Sequence, residues 1–249
     1  MTLLKLRRNL SNEDVTERFK IDSTTVSNIF KSWLMALHHV IFKTFMNSVP
    51  PREKNLRNLP ACFAPYPSTR LIIDRTEVTS ASPKLLKDQN RIWSNYKHKI
   101  TCKGLIGVLP CGANTFASKL YPGCTSDKQI VIASKILECL VPGDSIMADK
   151  GFLIADILPD GVALNIPPIK DTPQFTEEQV EEGKKVARAR IHVERAINRI
   201  KRFQILHYIP QFLGKYASEV FQVCAALVNF QYGLLKECAD RDPETDSEE

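Results

Sequence analysis

Short apolar runs and amphipathic stretches alternate along most of this chain. In the most apolar run, Leu71, Ile72 and Ile73 are followed directly by Asp74. Three large apolar residues in succession, two of them β-branched, predict a strand that is buried on both faces and central in its sheet. A carboxylate at the end of such a strand must take up a proton or find a cation. Taken alone, the segment is more typical of a strand-end aspartate that caps a turn.

The pattern from residue 70 to residue 236 predicts one α/β domain. After the strand at Asp74, further strands are expected at residues 100–109 and 115–121, joined as a β-hairpin, and at 145–149 and 162–166. Helices are expected at residues 128–140, capped by Ser126, and at 177–203 and 216–235. The order strand, hairpin, helix, strand, helix, strand, helix matches a ribonuclease H-like fold, in which helices flank a mixed sheet.

Residues 1–48 carry helical periodicity with two capping signals. Ser11 opens a helix that ends near Phe19, and Asp22 or Ser23 caps a second helix. Their shared apolar face is expected to consist of Val15, Phe19, Val26, Ile29, Phe30 and Trp33. The pattern predicts a small all-α helix-turn-helix module, although other helical hairpins share it. The outward residues, which would contact DNA, are Thr24, Thr25, Ser27, Asn28 and Lys31.

Two segments lie outside both domains. Five prolines between residues 49 and 69 predict a linker without a regular element. Residues 237–249 hold seven acids against Arg241, so this tail carries −6, which leaves +12 on the rest of a chain whose net charge is +6. We expect the tail to be disordered. The positive charge of residues 1–236 favours a polyanionic partner, most commonly nucleic acid. The alternative is a soluble protein that is basic without having such a partner.

Composition argues against zinc and membrane sites. The seven cysteines include no Cys-x-x-Cys pair, and with five scattered histidines no arrangement has the spacing of a zinc site. Reduced, partly buried thiols are the expectation for an intracellular chain. The longest apolar runs, such as residues 220–230, are too short or too interrupted to span a bilayer, and no signal peptide opens the chain. We therefore expect no membrane partner.

Three carboxylates can converge in the predicted domain. Asp74 and Asp149 each end a strand, and Glu194 lies at the border of the buried face of the long helix, in a stripe with Arg190, Asn198 and Lys201. Three carboxylates in one place repel each other, and a divalent cation removes that repulsion. Oxygen-only ligands favour Mg²⁺ or Mn²⁺, which can support phosphodiester cleavage. Asp127 is a fourth candidate acid, for which helix capping is a sufficient explanation.

The motifs of the chain resemble those of one transposase family. IIDRTE, WSNYKHKITCKGLIGVLPCG, SDKQ, PGDSIMADKGF and ARIHVERAINRIKRF resemble the successive motifs of the DDE nuclease domain of Harbinger-type (PIF/Harbinger) transposases and of the host proteins derived from them. The likeness extends over residues 71–203, and the amino-terminal part resembles the helix-turn-helix that precedes this domain. In the family the three acids lie in Asp-x-Thr, Asp-Lys-Gly-Phe and Val-Glu-Arg, which here are Asp74, Asp149 and Glu194.

The resemblance implies a metal-dependent DNA endonuclease with an Asp-Asp-Glu triad, which nicks by hydrolysis and, in an active transposase, transfers the freed strand. It places Lys150, Arg190, Arg195 and Lys201 near the scissile phosphate, although a solvated surface explains each of the four equally well. It also implies a nuclear protein, with the cytoplasm as a second location. A Myb-like accessory protein is the implied partner, and the family pattern is compatible with an oligomer.

The chain also departs from the family pattern. It begins within what resembles the first helix of the amino-terminal module, and it lacks the zinc-binding DNA domain that some relatives carry upstream, so we expect a truncated or domesticated copy. Two other functions remain open on the sequence. One is a domesticated DNA-binding or scaffold protein that has lost catalysis. The other is a metal hydrolase that acts on small phosphoesters.

Overall fold

The computed structural model describes residues 1–46, 49–81, 93–94, 99–168, 176–231 and 233. The α-helices are α1 (Thr2–Arg8), α2 (Asn12–Phe19), α3 (Ser23–Leu37), α4 (Lys43–Phe45), α5 (Arg52–Arg57), α6 (Asp127–Ser134), α7 (Glu177–Lys201) and α8 (Ala217–Val228). The strands are β1 (Thr69–Thr79), β2 (Trp93–Ser94), β3 (Lys99–Val108), β4 (Asn114–Ala117), β5 (Tyr121–Pro122), β6 (Ser145–Met147) and β7 (Ala163–Asn165). The predicted acidic tail lies outside the described residues.

A mixed sheet forms the centre of the molecule. Its order is β2-β3-β1-β6-β7, and β4 and β5 pair with β3. Strand β1 runs antiparallel to β3 and parallel to β6, and β6 runs parallel to β7. Leu71, Ile72 and Ile73 are fully buried, so the prediction of a central strand buried on both faces is confirmed. Helices flank this sheet, which confirms the ribonuclease H-like α/β fold.

The side chains of β1 alternate between two apolar clusters, one on each face of the sheet. Ile72 and Val78 belong to a cluster that includes the buried faces of α7 and α8. Leu71 and Ile73 belong to the other cluster, which includes Ile130 of α6. The even-numbered positions of β1, including Asp74, therefore face α7.

Four elements differ from their predicted form. The last helix, expected at residues 216–235, ends at Val228. The strand expected at residues 115–121 is divided into β4 and β5. The helix expected at 128–140 ends at Ser134, because Lys135 adopts a left-handed conformation (φ 61°) before a 3₁₀ turn at Ile136–Cys139. Where the predicted order has a helix between β6 and β7, the described chain has only a 3₁₀ turn at Ala155–Ile157. None of these changes alters the order of the central strands.

The amino-terminal helices have the predicted caps. The Ser11 hydroxyl accepts a hydrogen bond from the Asp14 amide, and the Asp22 carboxylate accepts one from the Thr25 amide. The apolar face is only partly as expected, because Phe19 and Trp33 are 42% and 58% exposed. Buried positions along α3 recur every four residues, at Val26, Phe30 and Leu34. Such a stripe drifts around the helix, which leaves Trp33 at its edge.

These amino-terminal helices share the core of the α/β domain. Leu6, Phe30 and Leu34 belong to the same buried cluster as Phe203 and Leu206, which follow α7. A buried hydrogen-bond chain adds to this contact. His38 Nε2 lies 2.9 Å from the Gln222 amide oxygen, and the Gln222 amide nitrogen donates to the Ala117 carbonyl at 3.1 Å. The amino-terminal helices and the sheet are therefore packed as one unit.

The expectation that residues 49–69 contain no regular element is wrong. Helix α5 lies in this segment, and a 3₁₀ turn follows at Ala61–Phe63. Pro51 and Pro60 occupy the N-cap positions, just outside each turn, where a missing N–H breaks no helical hydrogen bond. Phe63 is fully buried, and Arg52 forms a 2.7 Å ion pair with the Asp144 carboxylate. The segment thus belongs to the fold.

We expect Leu34→Ala to lower the free energy of unfolding of the whole chain by about 2–5 kcal/mol, because it opens a cavity in the shared core. Urea unfolding followed by circular dichroism and by tryptophan fluorescence should show one displaced transition. Leu3→Ala, at a position that is 55% exposed on α1, is the matched control and should have little effect. Two separate transitions, of which Leu34→Ala moves only one, would contradict the shared core.

Candidate active site

Asp74 lies within β1 rather than at its end, because pairing with β3 continues as far as Thr79. The expectation that this strand ends at Asp74 is therefore wrong. The side chain is 20% exposed, and Oδ1 accepts a 2.7 Å hydrogen bond from the Arg75 amide. Burial raises the pKa of Asp74 above its usual range, the Arg75 amide and Arg190 act to lower it, and Asp149 and Glu194 raise it further. The buried carboxylate thus lies among both like and opposite charges.

Asp149 is brought to the same place by the parallel pairing of β6 with β1. It follows the end of β6 by two residues, and Oδ1 accepts hydrogen bonds from the Lys150 amide at 2.9 Å and from Arg190 Nη1 at 3.2 Å. Arg190 Nη2 lies 3.9 Å from Asp74 Oδ2. The guanidinium of Arg190, on the buried face of α7, therefore bridges the two aspartates.

Glu194 lies one helical turn beyond Arg190 on α7 and is exposed. It is close enough to Asp74 to raise the pKa of that carboxyl. Among the described residues, no three His, Cys, Asp or Glu side chains lie close enough together to hold a metal ion. The oxygen donors nevertheless suit a hard divalent cation, and two of the three carboxylates already face one shared cation. The donor set therefore fits such an ion, provided that the exposed Glu194 side chain moves toward the two aspartates.

Asp127 belongs to a charged cluster that the sequence did not reveal. The cap of α6 is Ser126, with a capping box to Gln129, so capping does not explain the acid. Asp127 Oδ2 lies 3.3 Å from Arg75 Nε, and Arg75 also pairs with Glu77 at 3.6 Å. Burial raises the pKa of Asp127, Arg75 and Lys103 act to lower it, and Glu77 and Asp149 raise it. The alternation of β1 puts Arg75 and Glu77 on the face opposite Asp74, but only the packing of α6 beside β1 brings Asp127 to Arg75.

The residues predicted to contact DNA fall into two groups. On α3, Thr24 and Asn28 are exposed and Lys31 is partly exposed. The Thr25 hydroxyl donates to the Asp22 carboxylate at the start of its own helix. The Ser27 hydroxyl accepts from the Asn12 amide at 2.8 Å, which links α3 to α2. In the group that the motif resemblance assigns to the scissile phosphate, Lys150 and Arg195 are exposed, Lys201 is partly buried and Arg190 is buried.

Asp74→Asn should stabilise the metal-free protein at neutral pH. Because the folded-state pKa of Asp74 is raised, its contribution to stability is fully present below the unfolded pKa of about 4 and is lost as pH rises through the folded pKa. Urea unfolding in EDTA should show a gain of about 1 kcal/mol at neutral pH that shrinks toward pH 4. Asp160→Asn, at an exposed position, should give no gain, and the absence of a gain for Asp74→Asn would contradict the burial argument.

Comparison with known proteins identifies both regions of the chain. A family model described as "DDE superfamily endonuclease" matches residues 73–229, more than half of the chain. This range contains Asp74, Asp149 and Glu194. A second model, "Helix-turn-helix of DDE superfamily endonuclease", matches residues 1–42. Neither a curated protein nor a solved structure matches.

In the described part of the chain, no helix is both long and apolar enough to cross a membrane.

The fold, the two facing aspartates and both family matches agree with one another. The chain belongs to the DDE superfamily endonucleases of transposase origin and carries their helix-turn-helix upstream of the endonuclease domain.

Proposed function

We propose that this chain is a metal-dependent DNA endonuclease in which Asp74, Asp149 and Glu194 hold Mg²⁺ or Mn²⁺. The observation that carries the proposal is the position of Arg190, whose guanidinium lies between Asp74 and Asp149. Two aspartates that face one cation, beside a third acid, form a place where positive charge is required. When bound there, a divalent cation would polarise the attacking oxygen and stabilise the leaving oxygen of a phosphodiester.

The carboxylates and the basic side chains around them would have different roles in the reaction. Asp74 is held by its hydrogen bond to the Arg75 amide, and Asp149 by the Lys150 amide, so both carboxylates are oriented before metal arrives. Glu194, which is exposed, would complete the set. Lys150, Arg195 and Lys201 would bind backbone phosphates on either side of the scissile bond.

The finer assignments rest on the motif resemblance. We propose that the chain is of Harbinger type, acts in the nucleus, and relies on a Myb-like accessory protein for part of its DNA binding. Thr24, Thr25, Ser27, Asn28 and Lys31 would lie at the DNA on the second helix of the helix-turn-helix. Support comes from the matched helix-turn-helix at residues 1–42 and from the basic charge of the chain outside its acidic tail.

A second candidate function is DNA binding without catalysis. The bridge that supports the first proposal also favours this one, because Arg190 brings positive charge to both aspartates without a metal ion. A DNA-binding descendant that had lost the reaction would keep this ion-pair network as part of its stability. The first function predicts DNA cleavage that requires Asp149, and the second predicts DNA binding without cleavage.

The direct test is nicking of supercoiled DNA by the purified chain in Mn²⁺. We expect Asp149→Asn to reduce the nicking rate at least about a hundredfold, since losing a metal ligand costs several kcal/mol of transition-state stabilisation. Asp160→Asn makes the same chemical change at an exposed position and should nick like wild type. If wild type and Asp149→Asn bind DNA equally and neither nicks, the chain is a binding protein.

Arg190 supplies a test that needs no cleavage. Since its guanidinium and a divalent cation would use the same carboxylates, Arg190→Gln should raise the affinity for Mn²⁺ about tenfold, equivalent to about 1.4 kcal/mol. Isothermal titration calorimetry without DNA measures this directly. Arg188→Gln, at an exposed position on the same helix, is the control. An unchanged or weaker affinity in Arg190→Gln would show that the bridge is not a substitute for metal.

A further inference from the structure

A basic pocket of about 410 Å³ lies where α1 meets the end of α7. Arg7 and Arg8 line it from α1, Asn198 and Lys201 line it from α7, and Arg202 and His207 complete it from the chain that follows. Among the described residues that line this pocket, none is acidic. We call it the junction pocket.

The fold holds these cations together against their mutual repulsion. The shared core fixes α1 beside α7 through Leu6 and Phe203. The Arg7 guanidinium lies over the Phe203 ring, 5.5 Å from its centroid, and His207 Nε2 lies 2.7 Å from the Lys201 carbonyl oxygen. Four cationic side chains around one concave space raise the local potential, which an anionic ligand would relieve.

The junction pocket adjoins a second cavity that borders the strand of the candidate active site. A second cavity of about 220 Å³ shares Lys201 and His207 with it and is lined by Thr76 and Glu77 of β1, the strand that carries Asp74. Along α7, Lys201 lies seven residues beyond Glu194, which corresponds to about 10 Å. The junction pocket therefore lies a few nucleotides from the proposed cleavage site.

We propose that the junction pocket binds backbone phosphates of the DNA that is cut, on the side of the scissile bond toward the helix-turn-helix. This inference rests on the proposed function and adds Arg7, Arg8, Arg202 and His207 to the DNA contacts. Guanidinium groups match phosphate oxygens with paired hydrogen bonds. A concave cluster of cations binds the backbone without reading sequence, so DNA is the occupant that fits beside a nuclease site.

The test is DNA binding by the full chain in EDTA, where no cleavage occurs. Fluorescence anisotropy of a labelled duplex is measured over a salt series for wild type and for Arg8→Gln/Arg202→Gln, both at exposed positions. Removing two phosphate contacts should lower the slope of log Kd against log salt by about 2 and weaken binding at 150 mM salt about 10- to 100-fold. Lys54→Gln/Lys215→Gln removes the same charge at exposed positions elsewhere and should change the slope by less than half as much.

A second variant, Arg7→Gln/Lys201→Gln, repeats the measurement on the other two cations, and thermal unfolding confirms that each variant is folded. If the pocket variants bind DNA like the control variant, the junction pocket is not a phosphate site, while DNA binding and cleavage by wild type still support the proposed function. If wild type binds no DNA, both proposals fail. A labelled poly-glutamate peptide is measured in parallel, and loss of peptide binding without loss of DNA binding would assign the pocket to an acidic protein segment and overturn the inference.

Discussion

The central position of β1 is the constraint on which the rest of the structure depends. Antiparallel pairing with β3 and parallel pairing with β6 bury Asp74 at the point where β6 delivers Asp149. Two carboxylates placed in this way need positive charge nearby. Helix α7 supplies it from its buried face through Arg190, and the same helix carries Glu194 one turn further on. The chemistry proposed for the chain therefore follows from strand order and from the position of one helix.

Much of the sheet could be predicted from sequence because its signals are local. Leu71, Ile72 and Ile73 are apolar enough to require burial on both faces, and they are buried there. The caps at Ser11 and Asp22 are likewise formed within their own turns. Proline was misleading between residues 49 and 69, because Pro51 and Pro60 precede helical turns instead of interrupting them. A count of prolines does not distinguish a proline that precedes a helical turn from one that interrupts it.

The parts that could not be predicted depend on contacts between distant segments. The exposure of Trp33 depends on which part of α3 packs on the α/β domain, and the bridge formed by Arg190 depends on how α7 lies across the sheet. The cluster of Arg75, Glu77 and Asp127 forms only when β1 and α6 are adjacent. Arg7 and Lys201 are far apart in sequence and line one pocket because a shared core brings α1 to α7. No single window of sequence contains these relationships.

The shared core also has a geometric consequence for DNA. Leu6, Phe30 and Leu34 are buried with Phe203 and Leu206, so α3 cannot swing relative to the aspartates without exposing apolar surface to water. A duplex held by α3 and cut beside Asp149 would therefore be cut at a constant offset in base pairs from the contacted sequence. If both proposed sites act on one duplex, the folded protein would set the spacing between them, without a flexible linker.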